Sequence, residues 1–283
     1  MSIAAIVITY NRLELLKKTI IGLKLQTLKI DEIIIINNGS TDGTTEWLAQ
    51  HEELYVVSQG NSGSSGGQYT GFKTAYERGH EWIWAMDDDV VPRPYCLENL
   101  VRTIDVDKIV APLRFSFDGN PYINDTIKFN LSNPFKNIWE RLLNEDDLNQ
   151  DMIKAEGLTF EGPMFHRSLI KEIGLPEKNF FIYGDDSEYM IRANNAGFKT
   201  YINTKAQIDR MLEVPDLNKE FSWKNYYIIR NIIAIDVLHG NFAVRWLRPI
   251  AYLISWLAKA NNKSDRQIVI KAFKDGYFYE SVS

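Results

Sequence analysis

A single cysteine, Cys96, stands among 283 residues, which excludes an intrachain disulfide and fits a reducing compartment. Long hydrophobic runs are missing too. The most apolar stretch, Trp246-Leu247-Arg248-Pro249-Ile250-Ala251-Tyr252-Leu253-Ile254-Ser255-Trp256-Leu257, falls short of the roughly 20 residues a spanning helix needs. Cations are not in excess: the net charge of −5 argues against general nucleic-acid binding, which needs clustered Lys and Arg on phosphates. The one glycine-rich run, Gly60-Asn61-Ser62-Gly63-Ser64-Ser65-Gly66-Gly67, matches neither G-x-G-x-x-G nor the P-loop pattern. It reads as a flexible loop whose bare backbone permits close approach to a ligand. Residues 3–8 are apolar but lack a positively charged leader and a small-residue cleavage site, so they read as a first core strand and the expected location is cytoplasmic. The sequons Asn38-Gly39-Ser40 and Asn124-Asp125-Thr126 are accordingly expected to carry no sugar. The rest is ordinary globular composition, 45% hydrophobic and 24% charged, in a chain long enough to bury roughly 75% of its unfolded surface.

Against that background Asp87-Asp88-Asp89 stands out. It follows Trp82-Ile83-Trp84-Ala85-Met86, a buried-strand pattern, and ligands of open α/β sheets bind outside the carboxyl ends of strands. Three adjacent carboxylates repel unless solvated or beside a cation. Hard oxygen ligands suit Mg²⁺ or Mn²⁺ held together with substrate phosphates. A bare acidic triplet would be a solvated turn; the buried strand before it and Val90-Val91-Pro92 after it favour a metal–diphosphate anchor.

Strand-like and helix-like segments alternate through the first half: strands at 3–8, 32–36 and 55–57, helices at 13–25, around Trp47 and Leu48, and at 71–78. This βαβα order predicts a parallel sheet covered by helices. Residues 115–153 read as irregular, with Asn144-Glu145-Asp146-Asp147 a solvated face or mobile flap. Acidic residues return at an expected helix start, Tyr183-Gly184-Asp185-Asp186-Ser187-Glu188, where helix-dipole pairing accounts for Asp185 and Glu188 more readily than for Asp186. Beyond residue 223 the chain reads as helical and aromatic-rich. The stretch 246–257 then packs on the core, forms a dimer interface, or lies in a membrane surface with Arg245, Arg248 and Lys259 beside its tryptophans.

Taken in order, Val7-Ile8-Thr9-Tyr10-Asn11-Arg12, Asn38-Gly39-Ser40-Thr41-Asp42-Gly43-Thr44, Met86-Asp87-Asp88-Asp89 and Tyr183-Gly184-Asp185-Asp186-Ser187-Glu188-Tyr189 with Arg192 resemble an inverting family 2 glycosyltransferase of the GT-A fold. The nearest subgroup resembled is the bacterial galactofuranosyl- and rhamnosyltransferases, to which Tyr226-Tyr227-Ile228-Ile229-Arg230-Asn231 also points. The resemblance implies an α/β fold, a Rossmann-like mixed but mostly parallel sheet flanked by helices. Residues 1–215 would form the catalytic domain, with 1–112 holding the donor and 113–215 facing the acceptor, and 216–283 a helical C-terminal region.

Site residues follow from the resemblance position by position. Thr9, Asn11, Arg12, Asn37, Asn38, Asp42, Asn61, Gly66, Gly67, Asp87 and Asp88 would bind the nucleotide-sugar, with Asn37 standing where relatives carry an aspartate that pairs with uracil. Asp89 would be the direct metal ligand and Asp87 the partner facing sugar or ribose. Asp186 would be the general base, and Glu161, Gly162, Tyr183 and Asp185 would line the acceptor side. Relatives place a metal-binding histidine about twenty residues after the base; here Gln207-Ile208-Asp209-Arg210 stands there, leaving Asp209 or an extra water as substitute.

The expected function is thus a Mn²⁺- or Mg²⁺-dependent transfer from a nucleoside-diphosphate sugar, UDP-galactofuranose first and dTDP-rhamnose second, to a glycan or polyprenyl-diphosphate-linked acceptor. The expected partners are that donor and acceptor, with peripheral membrane contact or homodimerisation through the C-terminal helices, and no nucleic acid. A nucleotidyltransferase would want a glycine-rich basic loop after the first strand. An aspartyl phosphatase's D-x-D-x-T fails at Val91. An inactive sugar-nucleotide-binding scaffold is the non-enzyme alternative, opposed by the intact Asp87, Asp89 and Asp186.

Overall fold

The computed structural model describes residues 1–105, 107–213 and 221–281. Its first half alternates as expected: β1 (Ile3–Thr9), α1 (Leu13–Lys24), β2 (Glu32–Asn37), α2 (Thr44–Leu48), β3 (Tyr55–Ser58), α3 (Gly63–Glu77) and β4 (Trp82–Asp87). There follow β5 (Val90–Pro92), α4 (Cys96–Val101), β6 (Ile109–Phe115), β7 (Thr126–Phe129), β8 (Trp139–Leu142), β9 (Met152–Ala155), β10 (Met164–His166), α5 (Arg167–Ile173), α6 (Asp185–Asn195) and β11 (Thr200–Arg210). Three helices close the chain: α7 (Lys224–His239), α8 (Phe242–Lys259) and α9 (Lys263–Tyr277).

The central sheet runs β3-β2-β1-β4-β10-β6-β11-β5, with β9 also on β11. β1, β2, β3 and β4 pair in parallel, β10 runs opposite to β4 and β6, and β11 is again parallel to β6. Only β10, β5 and β9 run against the majority direction, so the sheet is mixed and mostly parallel. Both faces are covered, because the side chains of β1 alternate: Ala4, Ile6 and Ile8 join the core with Phe72 of α3 and Tyr189 of α6. Ile3, Ala5 and Val7 meet Leu16 and Ile20 of α1 and Leu97 of α4. Strands buried on both faces read as continuous apolar runs, which is why β1 and β4 show in the sequence.

The glycine-rich run is loop only over residues 60–62; from Gly63 to Gly67 it is the start of a helix. α3 begins at Gly63, whose N–H is capped by Asn61 Oδ1 at 2.9 Å. A Cβ on Gly67 would come within 2.6 Å of Ile8 Cγ2, so glycine lets α3 lie directly on β1. Poor helix propensity, about 1 kcal/mol per glycine, is outweighed by that packing.

The stretch 115–153 is also more ordered than its composition suggests. β7 and β8 form a separate antiparallel pair, and β9 joins the main sheet. Asn144-Glu145-Asp146-Asp147 is a capped 3₁₀ turn in which the side chains of Asn144 and Asp147 each accept the other's backbone N–H and Asp147 ties to Arg141. Asn144, Glu145 and Asp146 are exposed, as a solvated face would be, while Asp147 is buried and ties the stretch down, so it is not a free flap.

At the C-terminal end, Ile229 and Ile233 of α7 pack on Val269 and Ala272 of α9. Arg248, read from sequence as an interfacial cation, is instead buried against Asp236 at 3.1 Å and donates to the carbonyl of Asn130 at 2.8 Å. No helix among the described residues is long and apolar enough to cross a membrane.

Candidate functional site

The parallel strands deliver their carboxyl ends to one rim. β1 ends at Thr9, β2 at Asn37 and β4 at Asp87, while the first turns of α3 and α6 arrive at the same edge. Asp185 and Glu161 lie close enough to Asp87 to act on its charge, though they are far from it in sequence.

The three aspartates of the turn have distinct surroundings. Asp88 points inward: it is 3% exposed, its Oδ2 accepts from Thr9 Oγ1 at 2.7 Å, and Oδ1 lies 3.3 Å from the Arg12 guanidinium. Thr19 Oγ1 also reaches the carbonyl of Asp88 at 2.8 Å. Asp88 and Thr9 therefore brace the turn; neither side chain is turned outward, as the expected donor contacts would be. Asp89 stays at the rim, 2.9 Å from Arg12 Nη1. Asp87 accepts from Gln68 Nε2 at 3.2 Å. Burial raises the Asp87 carboxyl well above the ordinary carboxylate range, and the charges of Asp89, Glu161, Asp88 and Asp185 add to this. Burial and Glu161 raise Asp89 too, opposed by Arg12 and Arg210.

Such a concentration of like charge is what a divalent cation would relieve. Gln68 adds a buried Oε1 beside Asp87 that has no hydrogen-bond partner among the described residues. Among the described residues no three His, Cys, Asp or Glu converge into a closed metal cage. An open pair, Asp87 and Asp89, fits ions that bind one or two carboxylates and complete their shell with waters and phosphates. Asp209 does not join the pair. It lies opposite Val91 on β5 and is held by Arg93 through three hydrogen bonds of 2.8 to 3.2 Å. The next residue, Arg210, faces the site instead and meets Glu161 at 3.2 Å.

The positions expected to contact the nucleotide are braced by hydrogen bonds within the protein. Asn37 Oδ1 accepts from the Ser40 N–H at 3.1 Å while its amide donates to Thr45 at 2.9 Å. Asn11, at φ +53°, accepts from the Thr41 N–H at 2.7 Å. Asp42 holds the N–H of Leu13 at 3.0 Å. Asn38 is buried, donates to the Gly63 carbonyl at 2.9 Å and accepts from Gln59, so it anchors α3 and is closed to a ligand and to glycosylation alike. Gly66 and Gly67 lie within α3.

Of the residues expected on the acceptor side, Glu161 meets a buried arginine. Arg114 of β6 is 3% exposed and pairs with Asp125 and Glu161, both at 2.5 Å; Arg210 takes the other oxygen of Glu161. Gly162, at φ +105°, receives the Trp84 indole N–H on its carbonyl at 2.7 Å, and a Cβ there would meet Pro112 at 2.8 Å. Asp186 opens α6. Its Oδ1 accepts from the Ser187 N–H at 2.6 Å, and burial raises its carboxyl to about 6, against the lowering pull of Ser187 and Arg114. Asp185 is pushed higher, to about 8, by burial and by Asp186.

The loop carrying these two aspartates is strained. Phe181, Tyr183 and Gly184 all have positive φ, at +65°, +67° and +85°, a conformation that costs non-glycine residues on the order of 1–3 kcal/mol each. It is held by α7: the Asn231 amide donates to the carbonyls of Phe180 (3.0 Å), Ile182 (2.9 Å) and Tyr183 (2.6 Å), and Arg230 Nη2 reaches those of Asn179 (2.7 Å) and Phe180 (2.9 Å). Asn231→Ala is expected to lower kcat more than it raises KM, with a loss of about 1–3 kcal/mol in stability from the unpaired buried carbonyls. Steady-state kinetics with a denaturant melt checks this; an unchanged kcat would show that α7 does not position the loop.

A family model for glycosyl transferase family 2 matches residues 4–174, the span that holds β1 through α5. The chain belongs to that family. Among curated relatives, the galactofuranosyltransferase GlfT1 of Mycolicibacterium smegmatis is 25% identical over 205 residues, covering 69% of this chain and 66% of that protein. The match thus spans just under two thirds of that relative's length. The dTDP-rhamnosyl transferase RfbF of Shigella flexneri is 23% identical over 241 residues, covering 81% and 78%. The crystal structure of GalNAc-T7 with UDP, GalNAc and Mn²⁺ superposes with a TM-score of 0.71 at 13% identity, over 98% of this chain and 56% of that one. The glycosyltransferase assignment and the GT-A fold of this family 2 chain therefore agree with the ordered motifs.

Arg114, Arg210, Asp125, Gln68 and Asn231 escaped the sequence reading as site residues. One signal was available: Arg114 interrupts an otherwise apolar strand, Ile109-Val110-Ala111-Pro112-Leu113-Arg114-Phe115, and a charge there must be paired.

Proposed function

We propose that this glycosyltransferase is a metal-dependent inverting enzyme that moves galactofuranose from its UDP ester to a hydroxyl of a cell-surface or lipid-linked glycan. One observation carries the reading: the acidic end of β4 and the start of α6, about a hundred residues apart in sequence, share one rim, with Glu161 coupled to both. Asp89 and Asp87 would hold Mn²⁺ or Mg²⁺, which when bound supplies Lewis-acid neutralisation of the departing diphosphate. Arg12, on the other side of Asp89, lies where it can meet the same phosphates. Asp186, with Oδ1 fixed by Ser187, keeps Oδ2 for the proton of the attacking hydroxyl. One base on the side opposite the leaving group gives inversion without a covalent intermediate.

The name of the mycobacterial relative supports galactofuranose; the longer match to RfbF supports dTDP-rhamnose as second reading. The donor part would be residues 1–112, the acceptor side 113–215 and the helical region 216–283. On α8, Phe242, Trp246, Leu247, Ile250 and Ile254 stand exposed beside Arg245 and Lys259. That amphipathic face supports peripheral contact with the inner face of the cell membrane, close to a polyprenyl-diphosphate-linked acceptor, over a homodimer.

A thermal-shift comparison of UDP, dTDP and GDP with Mn²⁺, Mg²⁺ or EDTA tests the donor and metal. UDP at about 100 times its Kd is expected to stabilise the protein by about 2.7 kcal/mol, only when metal is present. A dTDP preference would move the donor to rhamnose; no shift with any nucleotide would overturn the nucleotide–metal anchor at Asp87 and Asp89, and a shift without sugar transfer would favour the inactive scaffold.

A further inference from the structure

Beside the loop that leads to Asp186 lies a cleft of about 510 Å³ lined by Gly66, Tyr69, Lys178, Phe181, Tyr227 and Arg230, among others. Its size is in the range of small-molecule sites. Its wall is aromatic: Phe181 and Tyr227 stack at 4.9 Å between centroids with 23° between planes. Its charge is of one sign. Lys178 Nζ sits 5.1 Å from the Tyr69 ring centre and the Arg230 guanidinium 5.0 Å from that of Tyr227. Neither cation forms an ion pair with a carboxylate among the described residues; Arg230 spends hydrogen bonds on backbone carbonyls, which leave its charge uncompensated. A chain this acidic has carboxylates to spare, so two unpaired cations facing one aromatic cleft focus a positive field there.

We propose that this cleft is an acceptor subsite that binds a phosphate-bearing group of the acceptor while the stacked Phe181–Tyr227 pair takes the adjoining sugar or isoprenoid. The proposal rests on the glycosyltransferase reading for its direction: Phe181 is shared between the cleft and the loop into Asp186, so a ligand seated in the cleft continues towards the base. The phosphate has two possible sources, the diphosphate of a lipid carrier or a phosphorylated sugar within the glycan.

Calorimetric titration of geranyl diphosphate and of glucose 6-phosphate into the full chain, saturated with UDP and Mn²⁺ to close the donor site, decides. Lys178 is exposed, so its replacement leaves the fold intact. At least one probe is expected to bind, to weaken about tenfold or more in Lys178→Ala, and to recover in Lys178→Arg, with UDP affinity the same in all three. Preference for the alkyl diphosphate assigns the subsite to the carrier; preference for the sugar phosphate assigns it to the glycan. Binding of neither probe, or equal affinity in wild type and Lys178→Ala, overturns the subsite. UDP affinity is read in the same samples, so failure of the donor reading is seen separately, and the probe titrations without nucleotide then still decide the cleft.

Discussion

Replacing Asp186 by asparagine is expected to lower kcat by at least about 10²-fold, and up to about 10⁴-fold, the range a positioned base supplies, while UDP affinity stays within twofold of wild type. Asparagine can still accept the Ser187 N–H that fixes Oδ1, so the loop keeps its shape and only proton acceptance is lost. The neighbouring Asp185→Asn is expected to do far less. With its carboxyl raised to about 8, Asp185 is protonated at pH 7, and asparagine imitates that neutral form. Asp186, raised only to about 6, is ionised there. The sign follows: kcat of the wild type should fall as pH drops through about 6, because the protonated base cannot accept. Transfer assays from pH 5 to 8 with calorimetry of UDP check all three statements. Full turnover by Asp186→Asn would refute the base assignment.

Asp89→Ala is expected to remove metal-dependent UDP binding, weakening it by more than about 100-fold, beyond the 10–100-fold that loss of an outer-shell partner produces. In EDTA the opposite sign is expected. Removing one carboxylate takes away repulsion towards the diphosphate and releases Arg12, now 2.9 Å from Asp89, so weak metal-free binding should strengthen slightly. That crossover separates a metal ligand from a residue that merely shapes the turn, for which binding would fall equally with and without metal. Titration of Mn²⁺ at fixed UDP measures it.

The parts of this fold that sequence revealed are those governed by local pattern. β1 and β4 are buried on both faces and so show as unbroken apolar runs, and the turn after β4 declares itself because three carboxylates end such a run. Glycine misled, since its low helix propensity suggests a loop unless one knows that Gly67 lies against Ile8. In the acidic stretch at 144–147 the exposed face was legible, but the fixing of Asp147 by Arg141 and by the backbone of its own turn is invisible in composition. The ionic group of Arg114, Asp125, Glu161 and Arg210 joins β6, two connecting segments and the end of β11, a meeting that only the strand order creates. Asp209 and Arg210 show how fine the margin is: along a strand, neighbours point to opposite faces, and the cation, not the carboxylate, faces the site.

Cys96 offers a different kind of consequence. It is 1% exposed and burial drives its thiol far above the usual range for cysteine, so the folded wild-type protein should be silent to maleimides and other thiol reagents. A cysteine placed at Lys178 or Trp246 would then label alone, without first stripping the native one, giving a fluorescent or spin reporter at a chosen surface. Left untouched, the native thiol becomes a clock: its modification rate should match that of global unfolding, and labelling that outpaces unfolding would reveal local opening around α4.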